Sequence, residues 1–202
     1  IRQELGDTLG IANTLNTLSS VYEAEKDYET AYKYCLDALR LREKLSDSLG
    51  LSISCGNMAI MLLRLNKPNE ALVYGKRNLE ICERLQIEQS ISFSCTILGE
   101  IQLALNNPQN AVSFCKRSYK IISKFESVEE TRDACNCLYV AYDKLNDSKN
   151  ALKFYKEYHR LNDTLRNQNK AVEIVQQQMK NEYEQKIFTD SIQRSAEEKI
   201  KE

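Results

Sequence analysis

A chain of 202 residues with 42% hydrophobic residues can bury a substantial core, and its formal charge of −1 excludes the strong field that gathers nucleic acid or an anionic membrane surface. Only 6 Gly and 2 Pro occur, which disfavours a turn-rich β fold and favours long helices, and no apolar run approaches the ~18 residues of a membrane span. The chain opens on Ile1 with no basic and apolar signal segment, so it reads as a processed or cut-out piece of something longer.

Residues 1–6 read as the frayed end of a preceding element. From about Asp7, the residues Ile11, Leu15, Leu18 and Tyr22 follow at spacings of 4, 3 and 4, which is one face of a helix. Asp27 interrupts that pattern as an expected N-cap. A second helix then carries Ala31, Cys35, Ala38, Leu41 and Leu45, again 3 or 4 apart. The same plan returns three more times. Pro68 and Pro108 fall at one phase, at the expected first residue of a helix, where the missing N–H would be unpaired anyway. Asn107 and Asp147 are expected caps before such helices, while Lys67 is a poor one. The pattern predicts an all-α fold with helices at about 7–25, 28–46, 48–65, 68–86, 88–105, 108–126, 128–145 and 148–165, in four antiparallel pairs (7–46, 48–86, 88–126 and 128–165).

The pairs keep strict time. Ala31, Ala71, Ala111 and Ala151 each open a similar phrase, and 71−31 = 111−71 = 151−111 = 40. A fixed period of this size marks an α-α superhelix in which no unit buries its apolar face alone. The cysteines keep the same beat. Cys55, Cys95 and Cys135 share one position, filled by Leu15 in the first unit, and Cys35 and Cys115 share another, filled by Gly75 and Tyr155 elsewhere. A position that accepts Leu or Cys is a core position, so the 7 Cys read as small hydrophobes rather than as redox or metal groups. Cys135 and Cys137 are two apart and point to different faces of a helix.

Leu18-Ser19-x-x-Tyr22 followed by Ala31, Cys35 and Ala38 resembles the tetratricopeptide pattern of Leu-Gly-x-x-Tyr followed by Ala, Phe and Ala. Leu98-Gly99 with Ala111, and Leu138 and Tyr142 with Ala151 and Tyr155, repeat the likeness. Small residues let paired helices approach while large ones fill the gaps between pairs. Two departures stand out. The period exceeds the usual length of about 34 residues, and Glu43 stands where the family has its closing Pro; both suit the longer variant of signalling scaffolds and sensors. In the fourth unit Tyr139 replaces a small residue and Tyr158 replaces Ala38, so this unit is expected to be a cap or a docking surface.

Beyond Leu165 the repeat stops and the helical signal continues through 166–202, a C-terminal helix. Val172, Val175, Met179, Tyr183 and Ile187 stay within an arc of roughly 120° at about 100° per residue, and the stripe fades into the closing DSIQRSAEEKIKE. Such a helix folds back, pairs with a second copy as a coiled coil, or hangs free. The segment LNDTLRNQNKAVEIVQQQMKNEYEQK resembles the linker of bacterial sensor proteins with tetratricopeptide repeats, which implies a membrane helix and a histidine kinase, cyclase or regulator domain in a parent protein.

No nucleotide loop, HExxH, GxSxG or paired-carboxylate motif is present, so neither catalysis nor a cofactor or metal is expected. His159 beside Tyr158 reads as a partly exposed helix residue. The run Arg40-Leu41-Arg42-Glu43-Lys44 reads as a solvated helix face. The family resemblance implies that the first helix of each pair lines a concave groove for a protein or peptide. Its positions fall on Asn13, Asn16, Ser20 and Glu23; on Ile53, Gly56, Ile60 and Arg64; on Phe93, Thr96, Glu100 and Leu103; and on Asp133, Asn136, Val140 and Lys144. Ile53, Ile60, Phe93 and Leu103 make its middle apolar, unless they are merely buried between neighbouring repeats. The family's clamp for a C-terminal carboxylate needs several groove cations, and only Arg64 and Lys144 qualify. The expected function is a non-catalytic interaction module, the sensory region of a bacterial signalling protein; the alternatives are a cytoplasmic scaffold or a regulator that inhibits a partner enzyme or binds a peptide pheromone. An extracytoplasmic, periplasmic setting follows if the sensor resemblance holds, and a cytoplasmic one otherwise.

Overall fold

The structure is a computed structural model that describes the backbone of residues 7–201 and the side chains of residues 7–187. The expected fraying of residues 1–6 lies outside the described residues, as do the side chains where the apolar stripe was expected to fade. Among the described residues there are eight helices and no strand: α1 (Thr8–Ala24), α2 (Tyr28–Leu45), α3 (Ser48–Arg64), α4 (Pro68–Leu85), α5 (Glu88–Ala104), α6 (Pro108–Ile122), α7 (Val128–Lys144) and α8 (Ser148–Lys201). The chain divides into two compact units, residues 1–159 and 160–202.

The helix junctions recur every twenty residues, half the forty-residue beat. Lys26, Ser46, Asn66, Gln86, Asn106 and Asn146 all have φ between 54° and 65°. A left-handed residue just past a helix lets the next N–H reach back to an orphan carbonyl. Thus the amides of Asp27, Lys67, Asn107 and Asp147 bond the carbonyls of Tyr22, Leu62, Gln102 and Tyr142, all at 2.8–3.0 Å. Asn at three of the six left-handed sites fits its tolerance of that conformation. The residue after each such turn then starts the next helix. Asp7, Asp27, Asp47 and Asp147 accept from the amides of Gly10, Thr30, Gly50 and Asn150 at 2.8, 3.1, 3.0 and 3.2 Å. Asn107 does not do so, contrary to expectation; Pro108 at the first turn already removes one of the donors it would satisfy.

α6 ends at Ile122 rather than near 126. The amides of Lys124 and Phe125 turn inward to the carbonyls of Ile121 and Ile122, three residues back, so the last turn winds too tightly to continue as α-helix. α8 joins the expected helix at 148–165 to the expected C-terminal helix in one element, because nothing between Leu161 and Val172 stops a helix: no Gly, Pro or cap residue followed by a turn intervenes.

From α1 to α7 each helix packs on the next, and the odd-numbered helices also touch in series: α1 on α3, α3 on α5, α5 on α7. That makes the odd-numbered helices one layer. Ala31, Ala71 and Ala111 are fully buried, as are Cys35, Cys55, Cys95, Cys115 and Cys135, as a core position requires. Ser19, Ala59 and Gly99 sit at the close seams. The Ser19 hydroxyl donates to the Ala31 carbonyl at 3.0 Å, and a Cβ on Gly99 would lie 2.3 Å from Cys115 Sγ and 2.6 Å from Cys137 Sγ. Those two sulfurs correct the reading of all seven cysteines as separate fillers, because Cys115 and Cys137 form a disulfide between α6 and α7. The two sit on helices that the forty-residue comparison never aligns, so their meeting could not be read from spacing.

Arg42 corrects the reading of residues 40–44 as wholly solvated. It is buried, 4% exposed, and its guanidinium reaches Asp47 Oδ2 and Asn13 Oδ1. One side chain on α2 therefore ties α1 to the cap of α3.

In residues 160–202, α8 leaves its apolar stripe open. Val172, Val175, Met179, Tyr183 and Ile187 are each at least half exposed, between 52% and 66%.

Candidate functional site

The layer of odd-numbered helices holds a concave pocket of about 160 Å³, lined by Glu23 of α1, Ile60 and Arg64 of α3, Ser92, Phe93, Thr96, Ile97 and Glu100 of α5, and Glu130 and Asp133 of α7. Each helix contributes because side chains three or four residues apart share its inward face. Ile60–Arg64, Phe93–Ile97, Thr96–Glu100 and Glu130–Asp133 are all such pairs. Phe93, 44% exposed, and Ile60 give the pocket an apolar wall. Ser92 and Thr96 are held by Ser118 of α6, whose hydroxyl lies 2.9 Å and 2.7 Å from theirs.

The rest of the lining is charged. Arg64 Nε lies 3.8 Å from Glu23 Oε1 and is half exposed at the rim. Burial pushes the Glu100 carboxyl above the usual range; Arg64 offsets this and Asp133 adds to it. Burial also raises Asp133, partly countered by its hydrogen bond from Arg132, whose Nη2 is 2.7 Å from Asp133 Oδ1. Glu130 Oε2 is buried with no hydrogen-bond partner among the described residues. A desolvated carboxylate without a partner is costly, so this pocket is stocked with unmet acceptor capacity.

Of the positions carried over by resemblance, Glu23, Ile60, Arg64, Phe93, Thr96, Glu100 and Asp133 come together here. The others lie elsewhere. Asn16 is buried and its amide donates to Ser54 Oγ at 3.3 Å, which ties α1 to α3 rather than lining a groove. Asn13 accepts from Arg42. Ser20 is exposed and donates to Asn16 O at 3.3 Å. Gly56 is buried against Asn78, whose Nδ2 would lie 2.4 Å from an added Cβ. Ile53 borders a second hollow of about 70 Å³, which Asn78, Cys82 and Phe93 also line. Leu103, Asn136 and Val140 are half-buried, and exposed Lys144 donates to Leu103 O at 3.3 Å. Ser92, Ile97 and Glu130 were missed. Glu130 precedes Asp133 by three residues and shares its face, so carrying the groove positions one turn further toward the start of α7 would have found it.

Chemistry elsewhere is sparse. Burial pushes the Cys35, Cys55 and Cys95 thiols up to about 11, so they are protonated and poor nucleophiles. His159 is exposed, with its ring 4.3 Å from that of Tyr155 and 5.2 Å from that of Tyr158. Tyr155 in turn meets Tyr139 edge-on at 5.1 Å, so the bulky rings of the fourth unit form an aromatic cluster. No helix is long and apolar enough to cross a membrane, among the described residues.

Comparison with known proteins agrees with this architecture. Residues 10–84 match the family model described as tetratricopeptide repeat. No curated protein matches the sequence at a significant level. Among solved structures, BtubC (BKLC) from P. vanneervenii is similar at 16% identity and a TM-score of 0.67, over 82% of this chain and 77% of that one. The apo form of RapI is similar at 18% identity and a TM-score of 0.70, over 80% of this chain; the chain spans 59% of RapI. The tetratricopeptide domain of Arabidopsis FLU is similar at 22% identity and a TM-score of 0.51, over 56% of this chain and 95% of that domain. At these identities the likeness is one of fold. The family match lies in residues 10–84, and the helix stacking of the array is similar to that of tetratricopeptide-repeat structures.

Proposed function

We propose that the tetratricopeptide-repeat array of this chain holds an extended segment of a partner protein along its odd-numbered helices, as the sensory or interaction region of a signalling protein. One observation carries the reading: a single pocket takes side chains from α1, α3, α5 and α7, one helix of every repeat, and combines an apolar wall with a polar rim. That combination suits peptide recognition, in which apolar anchors supply affinity and polar groups fix register. The output activity, a kinase, cyclase or regulator domain, would lie outside these residues and be reached through α8. The exposed stripe from Val172 to Ile187 supports pairing of α8 with a second copy, because five large apolar side chains on one face gain burial only against another surface.

The Cys115–Cys137 disulfide supports an extracytoplasmic setting, where such bonds persist. A cytoplasmic scaffold is the second reading, favoured by five buried cysteines outside that disulfide. Selection of a displayed random-peptide library on the immobilised chain tests the groove. Peptides that bind the wild type and lose binding to the Phe93→Ala chain are expected. Selected peptides indifferent to that change would remove the groove from the function.

A further inference from the structure

We infer that the pocket between α1, α3, α5 and α7 takes a cation: a Lys or Arg side chain on the bound segment, with an apolar neighbour lying on Ile60 and Phe93. The inference deepens the groove reading and rests on it. Four carboxylates line the cavity, Glu23 from α1, Glu100 from α5, and Glu130 and Asp133 from α7, against the lone guanidinium of Arg64 from α3. Arg64 faces Glu23 at the rim. Arg132, the next cation along α7, already engages Asp133 at 2.7 Å and Glu129 at 3.7 Å. Two cations thus meet five acidic groups, and Glu100 and Glu130 have neither a salt bridge nor a side-chain hydrogen bond among the described residues.

The electrostatics and the shape agree. Glu100 and Asp133 are pushed up because burial strips water from their charged forms, and a bound ammonium or guanidinium restores the lost solvation. A carboxylate-ended or acidic segment would meet four like charges instead. A cavity of about 160 Å³ admits one long side chain and not a folded element, while the wall of Ile60 and Phe93 suits the methylene stem of Lys or Arg.

Three labelled peptides of equal length test this by fluorescence anisotropy at low salt: leucine alternating with arginine, with glutamine, or with glutamate. The arginine peptide is expected to bind tightest and the glutamate peptide at least about tenfold more weakly. Glu100→Gln with Asp133→Asn should erase that order, whereas Glu70→Gln, an exposed change on α4, should preserve it. Both amides keep the shape of the carboxyls they replace, and a melting curve confirms that the double variant is folded. Peptides that bind without regard to charge, yet lose binding to Phe93→Ala, overturn the cation and leave the groove standing. Absent binding, or binding untouched by Phe93→Ala, overturns both. An arginine preference that survives the double variant also overturns the assignment, since it would come from charge elsewhere.

Discussion

Asp27 and Asp47 do the same local work at successive helix starts, yet their removal should cost very different amounts. Each accepts a hydrogen bond from the amide three residues on, at 3.1 and 3.0 Å. Asp27 faces solvent, and Asp27→Ala should cost only the loss of an ordinary cap. Asp47 also holds Arg42, whose side chain is only 5% exposed while that of Asp47 is 26% exposed. Breaking a buried pair costs roughly 3–5 kcal/mol because the surviving charge stays buried. The partial exposure of Asp47 places this case near or below the low end. Cap and pair together give roughly 3 kcal/mol for Asp47→Ala, hence a fall in Tm of about 6–12 °C against a smaller one for Asp27→Ala. Thermal melts followed by far-UV circular dichroism measure both. Arg42→Met added to Asp47→Ala should recover part of the loss, since the stranded cation goes with it. Equal shifts for the two Asp variants would refute the argument that Arg42 is a buried charge dependent on Asp47.

Glu100→Gln should raise Tm at neutral pH. The folded-state pKa of Glu100 is raised, so its favourable contribution is complete below the unfolded value and is lost as pH rises through the folded value; a neutral amide escapes that loss, and the gap should close in melts at falling pH. Asp27 and Asp147 are shifted the other way by their hydrogen bonds to Thr30 and Asn150, so their contributions are present above the unfolded value and fade as pH falls through the depressed one. Denatured without reductant, the chain should show five reactive thiols, Cys35, Cys55, Cys82, Cys95 and Cys135; seven would mean that Cys115 and Cys137 are reduced. Met179→Glu should turn a concentration-dependent dimer into a monomer by sedimentation, and a wild type that is monomeric at every concentration would remove α8 pairing.

The periodic part of this structure was legible because it is set by contacts that every repeat makes in the same way. Ala31, Ala71 and Ala111 are fully buried since helix pairs approach too closely for anything larger, and that constraint prints itself on the sequence at a fixed interval. The left-handed residues, from Lys26 to Asn146, obey the same beat, although their identities vary too much to show it. What the sequence hid are contacts between unlike positions. Arg42 with Asp47 and Cys115 with Cys137 join different phases of the repeat, so each occurs once and leaves no periodic mark.

The pocket combines both kinds of information. Its helices and its inward face follow from the repeat, which is why Glu23, Ile60, Phe93, Glu100 and Asp133 were within reach of the resemblance. Its charge does not, because the groove positions that a repeat fold leaves free of packing are those where neighbouring units diverge. Position 20 of the unit is Ser20, Ile60, Glu100 and Val140 in succession, and only Glu100 among them brings a carboxylate to the pocket. A uniform scaffold thus presents a non-uniform lining, and under the proposed function the partner is selected at the positions the fold does not need. It follows that substitutions at the alanine and cysteine phases should act on stability throughout the array, while those at Glu100 and Asp133 should act on what is bound and spare the stacking.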